Sequence, residues 1–111
     1  MKLYQLAKLI RSKNAGPFML TIDILFETDE LFSEVVRSGA LSKECIAGLF
    51  DIAPEQIDYY ELPLAKAIKF SFPRTHVSGD PDDTDVYGAQ FHGPLVNLEI
   101  PVSKGIIPRI A

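Results

Sequence analysis

The sequence predicts an α+β domain, a small and mainly antiparallel sheet of about four strands with helices packed on one face. Three observations carry this. Residues 18–26 alternate with a period of two, residues 28–50 hold two short segments of helical period with capping residues, and three further strand-like runs follow. An open sheet with one helical layer is the simplest architecture that buries these patterns.

The first segment places Leu3, Leu6, Leu9 and Ile10 at helical spacing, with Arg11 and Lys13 near its end, where cations complement the helix dipole. This predicts a helix through Lys13, stopped by Asn14-Ala15-Gly16-Pro17. In the strand that follows, Phe18, Leu20, Ile22, Ile24 and Phe26 share one face, while Met19, Thr21, Asp23 and Leu25 share the other. Both faces are mostly apolar, which marks a central strand and makes Asp23 a costly charge in its middle.

Thr28 or Asp29 caps the next helix, whose stripe is Leu31, Phe32, Val35 and Val36, and Gly39 suits a left-handed terminus. Ser42 caps a second helix with the stripe Leu41, Cys45, Ile46, Leu49 and Phe50, so Cys45 reads as a small buried hydrophobe. Pro54 to Gln56 fits one more helical turn, and Ile57 to Leu62 alternates loosely as a strand before Pro63 turns the chain. Ala65 to Phe72 is a strand with Ile68, Phe70 and Phe72 on one face and Lys69 on the other. Lys69 is a natural cross-strand counterion for Asp23. Leu95 to Ile100 reads as the last strand, and residues 101–111 form a tail whose Ile106 and Ile107 dock on the body or on a partner.

With 111 residues, 47% of them hydrophobic, the chain fits one domain, residues 1–111. Its net charge of −4 and scattered basic residues exclude nucleic acid as the expected partner. Charges at positions 2, 8, 11 and 13 interrupt any apolar run at the N-terminus, so a cytoplasmic protein without membrane contact is expected. Cys45 is the single cysteine, which rules out an internal disulfide and a thiolate metal cage.

The polar stretch 74–94 holds both histidines and four aspartates, Asp80, Asp82, Asp83 and Asp85, and forms a surface loop between two strand-like runs. Long aperiodic loops are functional or disordered, and Val86 to Phe91 argues against full disorder. Alternating carboxylates at Asp80, Asp82 and Asp83 suit a divalent cation such as magnesium or calcium, although the EF-hand pattern fails at Asp85 and Phe91; the competing reading is a turn built by Asp and Pro. His92 is a candidate general base oriented by Asp83 or Asp85, or simply a hydrogen-bonded structural histidine. Lys13, Asn14, Lys69, Arg74, Tyr87 and Gln90 form the candidate ligand-binding set, with Lys13, Lys69 and Arg74 as an anion clamp if their segments converge. A P-loop is excluded, because Ser12 to Gly16 ends a helix pattern and does not begin one.

The stretches Leu9-Ile10-Arg11-Ser12-Lys13-Asn14-Ala15-Gly16-Pro17-Phe18, Thr21-Ile22-Asp23-Ile24, Ala67-Ile68-Lys69 and Asp83-Thr84-Asp85-Val86-Tyr87-Gly88-Ala89-Gln90 together resemble domain-of-unknown-function family 4387, over about Leu3 to Ile100. That resemblance implies a partner, because members are encoded beside, or fused to, larger proteins of the acyclic-terpene-utilisation (AtuA) type, associated with breakdown of terpenoid or other carboxylic acids as CoA thioesters. It implies no catalytic residues and no established cofactor. Two functions are therefore expected. One is an accessory subunit that contributes its Asp/His loop to a shared site; the other is a self-sufficient lyase or hydratase on a carboxylate substrate, using His92 and the loop aspartates. A homo-oligomer is a further expectation, since Met19, Leu25, Ile106 and Ile107 need cover.

Overall fold

The computed structural model describes residues 1–14, 18–73, 93–103 and 105–108. Its elements are α1 (Leu3–Leu6), β1 (Leu9–Asn14), β2 (Met19–Leu25), α2 (Asp29–Ser38), α3 (Lys43–Phe50), β3 (Asp58–Leu62), β4 (Ala67–Pro73) and α4 (Gly93–Val96), with single 3₁₀ turns at Pro54–Gln56 and Pro63–Ala65. The four strands form one sheet in the order β1-β2-β4-β3, antiparallel at each step.

The strand with the strongest alternation lies inside the sheet, as its two-sided apolar pattern requires. β2 is buried at every residue from Leu20 to Ile24. Its first face, Leu20, Ile22 and Ile24, joins Ile68, Phe70 and Phe72 of β4 and the helix residues Leu31, Phe32, Val35 and Ile46 in one hydrophobic cluster. The Phe50 ring lies 5.1 Å from that of Phe72 and 6.4 Å from that of Phe70, which fixes α3 on this face. Leu3, Leu6, Leu95 and Ile100 are fully buried in the same cluster.

Both longer helices start and stop where their sequence says. Thr28 Oγ1 accepts from the Leu31 amide at 3.1 Å, and Asp29 and Glu30 place acidic charge against the positive end of α2. Gly39 ends α2 at φ 75°, a conformation that a Cβ makes costly. Ser42 Oγ accepts from the Cys45 amide at 3.3 Å, opening α3. Asp51 closes α3 in the left-handed region at φ 58°, where a short polar side chain is tolerated better than a branched one.

Three expectations are corrected. The helix expected through Lys13 ends at Leu6, and residues 9–14 form β1 instead, because the backbone of central strand β2 needs a ladder on both sides. The helical spacing serves only Leu3 and Leu6, whereas Leu9 is 43% exposed. The strand expected over Leu95 to Ile100 is replaced by α4 and a lone bridge between Lys2 and Glu99. Leu95 and Ile100 are still buried, and this segment bonds to the N-terminus through Leu3 N to Leu98 O at 2.9 Å and Ile100 N to Met1 O at 2.7 Å. Cys45 is exposed, since α3 turns Ile46 and Ala47 inward and leaves the preceding position outside. In the tail, Ile106 packs against the cluster and Ile107 is exposed.

Candidate functional site

The middle of the second face of the sheet is polar, and the register sets these residues in two rows across the strands, flanked by the apolar row Leu9, Leu25, Ala67 and Leu62. One row runs Arg11, Asp23, Lys69 and Tyr60 on β1, β2, β4 and β3; the next runs Lys13, Thr21, Ser71 and Asp58. The rows hold three cations against two carboxylates, on a chain whose net charge is −4.

In the first row, Arg11 Nε donates to Asp23 Oδ2 at 3.2 Å. This answers the mid-strand carboxylate from one flank. Asp23 also faces Lys69 in the register, as anticipated, but its ion pair goes to Arg11. Among the described residues, the half-buried Lys69 ammonium has no carboxylate within ion-pair distance. In the second row, the Thr21 and Ser71 hydroxyls share a hydrogen bond of 3.0 Å with Thr21 buried. Lys13 stands exposed beside them.

Lys13 and Lys69 thus occupy strands that flank β2, one row apart on one face, with Cα atoms roughly 12 Å apart by strand geometry. Two lysine side chains can span that gap from both sides of an anion. Compact ammonium charges next to hydroxyls can hold a carboxylate or phosphate, with the hydroxyl pair able to donate one proton outward and keep the other between its oxygens.

Of the residues anticipated from sequence, Lys13 and Lys69 are brought to this face. Asn14 ends β1, with its side chain outside the described residues. Arg74, Asp80, Asp82, Asp83, Asp85, Tyr87, Gln90 and His92 also lie outside the described residues. Among the described residues no group of His, Cys, Asp or Glu is arranged to hold a metal ion. Arg11, Thr21, Ser71 and Tyr60 were not anticipated as site residues. Alternation of Leu9, Arg11 and Lys13 would have placed both cations together had residues 9–14 been read at a strand period.

Two clefts lie away from this face. One, of about 270 Å³, is lined by Glu34, Arg37 and Ser38 of α2 and by Pro101, Val102 and Ser103. Glu34 is only 5% exposed. Its carboxylate accepts from Ser103 Oγ at 2.9 Å, from Ser103 N at 3.1 Å and from Arg37 at 3.2 Å. The Ser103 bonds, chiefly that of its hydroxyl, hold the Glu34 carboxyl below the usual range, with a smaller contribution from Arg37 against the opposing effect of burial. The other cleft, of about 310 Å³, lies between the start of α2 and residues Ile107 and Pro108.

Fold and face together define a small α+β domain built on a four-stranded antiparallel sheet, helical on one side and polar on the other. The chain belongs to the DUF4387 family, described as a domain of unknown function, whose model matches residues 3–99. No curated protein and no solved structure gives a significant match. None of the described helices is long and apolar enough to cross a membrane.

Proposed function

We propose that the domain is an accessory subunit of a heteromeric catabolic complex acting on terpenoid or other carboxylic acids as CoA thioesters, and that its sheet face binds an anionic group of the substrate. The partner is a larger protein of the acyclic-terpene-utilisation type, and the Asp/His stretch 74–94 contributes to the shared site. The observation that carries the reading is the placement of Lys13 and Lys69 on either side of β2 beside the Thr21–Ser71 hydroxyl pair, with Lys69 free of carboxylate partners among the described residues. A cation kept out of ion pairs retains its charge for a ligand, and charge-assisted bonds are the stronger ones.

Co-expression with that larger protein followed by size-exclusion chromatography gives one co-eluting complex, and calorimetry with a CoA thioester gives binding that Lys69→Met weakens. Two separately eluting proteins refute the subunit role. Unchanged binding in Lys69→Met refutes the sheet face as the anion site. Turnover of a carboxylate substrate by the isolated domain would favour a self-sufficient lyase or hydratase in its place.

A further inference from the structure

Among the described residues β3 is an edge of the sheet, paired on one side with β4, and four of its five residues are exposed. Tyr60 is 51% and Leu62 41% exposed, and Leu64 just beyond is fully exposed. Edge strands offer unpaired backbone groups to any other strand, and proteins blunt them with charged side chains, lysine above all, with proline or with a bulge; the charges of β3 are the carboxylates Asp58 and Glu61. Asp58-Tyr59-Tyr60-Glu61-Leu62 has no lysine and no proline, and its pairing with β4 runs through all five residues without interruption.

We propose that β3 pairs antiparallel with β3 of a second copy of this chain, about a twofold axis through Tyr60. Charge and length select this register. A twofold at Tyr60 aligns all five residues of the strand. Asp58 then faces Leu62 of the second copy, Tyr59 faces its Glu61, and Tyr60 faces its Tyr60, so no like charges oppose. A twofold at Glu61 would set two carboxylates against each other and bring Pro63 into the ladder, while one at Tyr59 would pair only three residues of the strand. Opposed aromatic pairs stabilise antiparallel strands, and the half-exposed Tyr60 gains such a partner. Pairing in the plane of the sheet adds no cover to the polar face and continues its Arg11-to-Tyr60 row into the second copy.

The twofold makes a test specific to one position. In a Cys45→Ser background, which removes the exposed native thiol, Tyr60→Cys places two thiols on facing residues. Their Cα atoms would be about 4.5 to 5.5 Å apart, within disulfide range. In Leu62→Cys the two introduced thiols are separated by four residues along the ladder, roughly 13 Å. Light scattering of the Cys45→Ser protein is expected to give twice the chain mass, oxidation to give a covalent dimer for Tyr60→Cys but not for Leu62→Cys, and Tyr60→Lys to give the single-chain mass with an unchanged circular dichroism spectrum. A single-chain mass at the highest soluble concentration overturns the proposal and leaves the edge to a strand of another protein. Equal crosslinking at both positions, or a Tyr60→Lys protein that stays dimeric, overturns it as well.

Discussion

Asp23 and Lys69 stand directly opposite each other on β2 and β4, yet the carboxylate of Asp23 is bonded to Arg11 on its other flank. The arrangement divides labour among three charges. Arg11 neutralises a carboxylate that the sheet nearly buries, and Lys69 has no carboxylate within ion-pair distance among the described residues. Asp23→Asn removes the negative charge between two cations, so an anion on this face binds more tightly. Lys69→Met has the opposite sign. A single partly exposed charge changes affinity by about threefold to tenfold at low salt. Calorimetric titration with a carboxylate or phosphate ligand measures both variants, and a shift of the same sign in both would refute this division.

Ser103 clasps Glu34 of α2 through its hydroxyl and its amide, and the folded carboxyl titrates below its ordinary value. A carboxyl depressed in the folded state contributes stability that is complete above its unfolded value and is lost as pH falls through its folded value. Wild type is therefore expected to melt higher than Ser103→Ala at neutral pH, with the gap closing in acid. Melting temperatures of both proteins across the acid range check this, and a gap independent of pH would mean that the hydroxyl acts only by packing.

Tyr59 is pushed up to about 12 by burial first, then by the negative charge and hydrogen bond of Glu61, whose Oε2 accepts from the Tyr59 hydroxyl at 3.2 Å. Because its folded value is raised, its contribution to stability is full below the ordinary tyrosine value of 10.0 and lost as pH rises towards about 12. Ultraviolet titration of phenolate is expected to show late ionisation of Tyr59, absent from Tyr59→Phe. Glu61→Gln brings that ionisation earlier while burial keeps it above the ordinary value; a titration unmoved by Glu61→Gln would assign the whole effect to burial.

The core and the caps differ in scale. Phe70 is fully buried between β2 and α3, so Phe70→Ala is expected to cost about 3 to 5 kcal/mol, a large share of a small domain's stability. Thr28→Ala removes one cap bond from α2 and costs about 1 kcal/mol. Urea unfolding of both variants separates the two. A Phe70→Ala loss no larger than that of Thr28→Ala would mean that the core collapses around the missing ring.

Local chemistry made much of this fold legible. Thr28, Gly39 and Ser42 punctuate α2 and α3 with side chains and a backbone conformation that act within four residues, and β2 stands out as a nearly unbroken apolar run because both its faces are buried. β1 was hidden because Leu3, Leu6, Leu9 and Ile10 satisfy a helical period, and only the demand of β2 for a second ladder decides residues 9–14. The segment at Leu95 to Ile100 misled for a related reason, since half-buried Val96 and Leu98 alternate with exposed Asn97 and Glu99 while the segment makes only a lone bridge among the described residues. For the site, Asp23 and Lys69 were visible as charges in apolar strands. Arg11 and Ser71, on neighbouring strands, joined them and Thr21 only through the strand order, which no local pattern encodes.

The strand order also dictates how the chain must find its fold. β3 and β4 meet across a short turn, and β1 and β2 are neighbours in sequence, whereas Leu25 of β2 reaches Ala67 of β4 only after α2, α3 and β3 have intervened. Hairpins close quickly, and joining distant segments carries a larger entropy of loop closure. Of the three pairings in the sheet, the β2–β4 seam is therefore the one whose closure carries the largest loop entropy. Ile22 and Phe70 face each other at the middle of that seam. Their side chains must meet across the widest gap in sequence that the sheet closes.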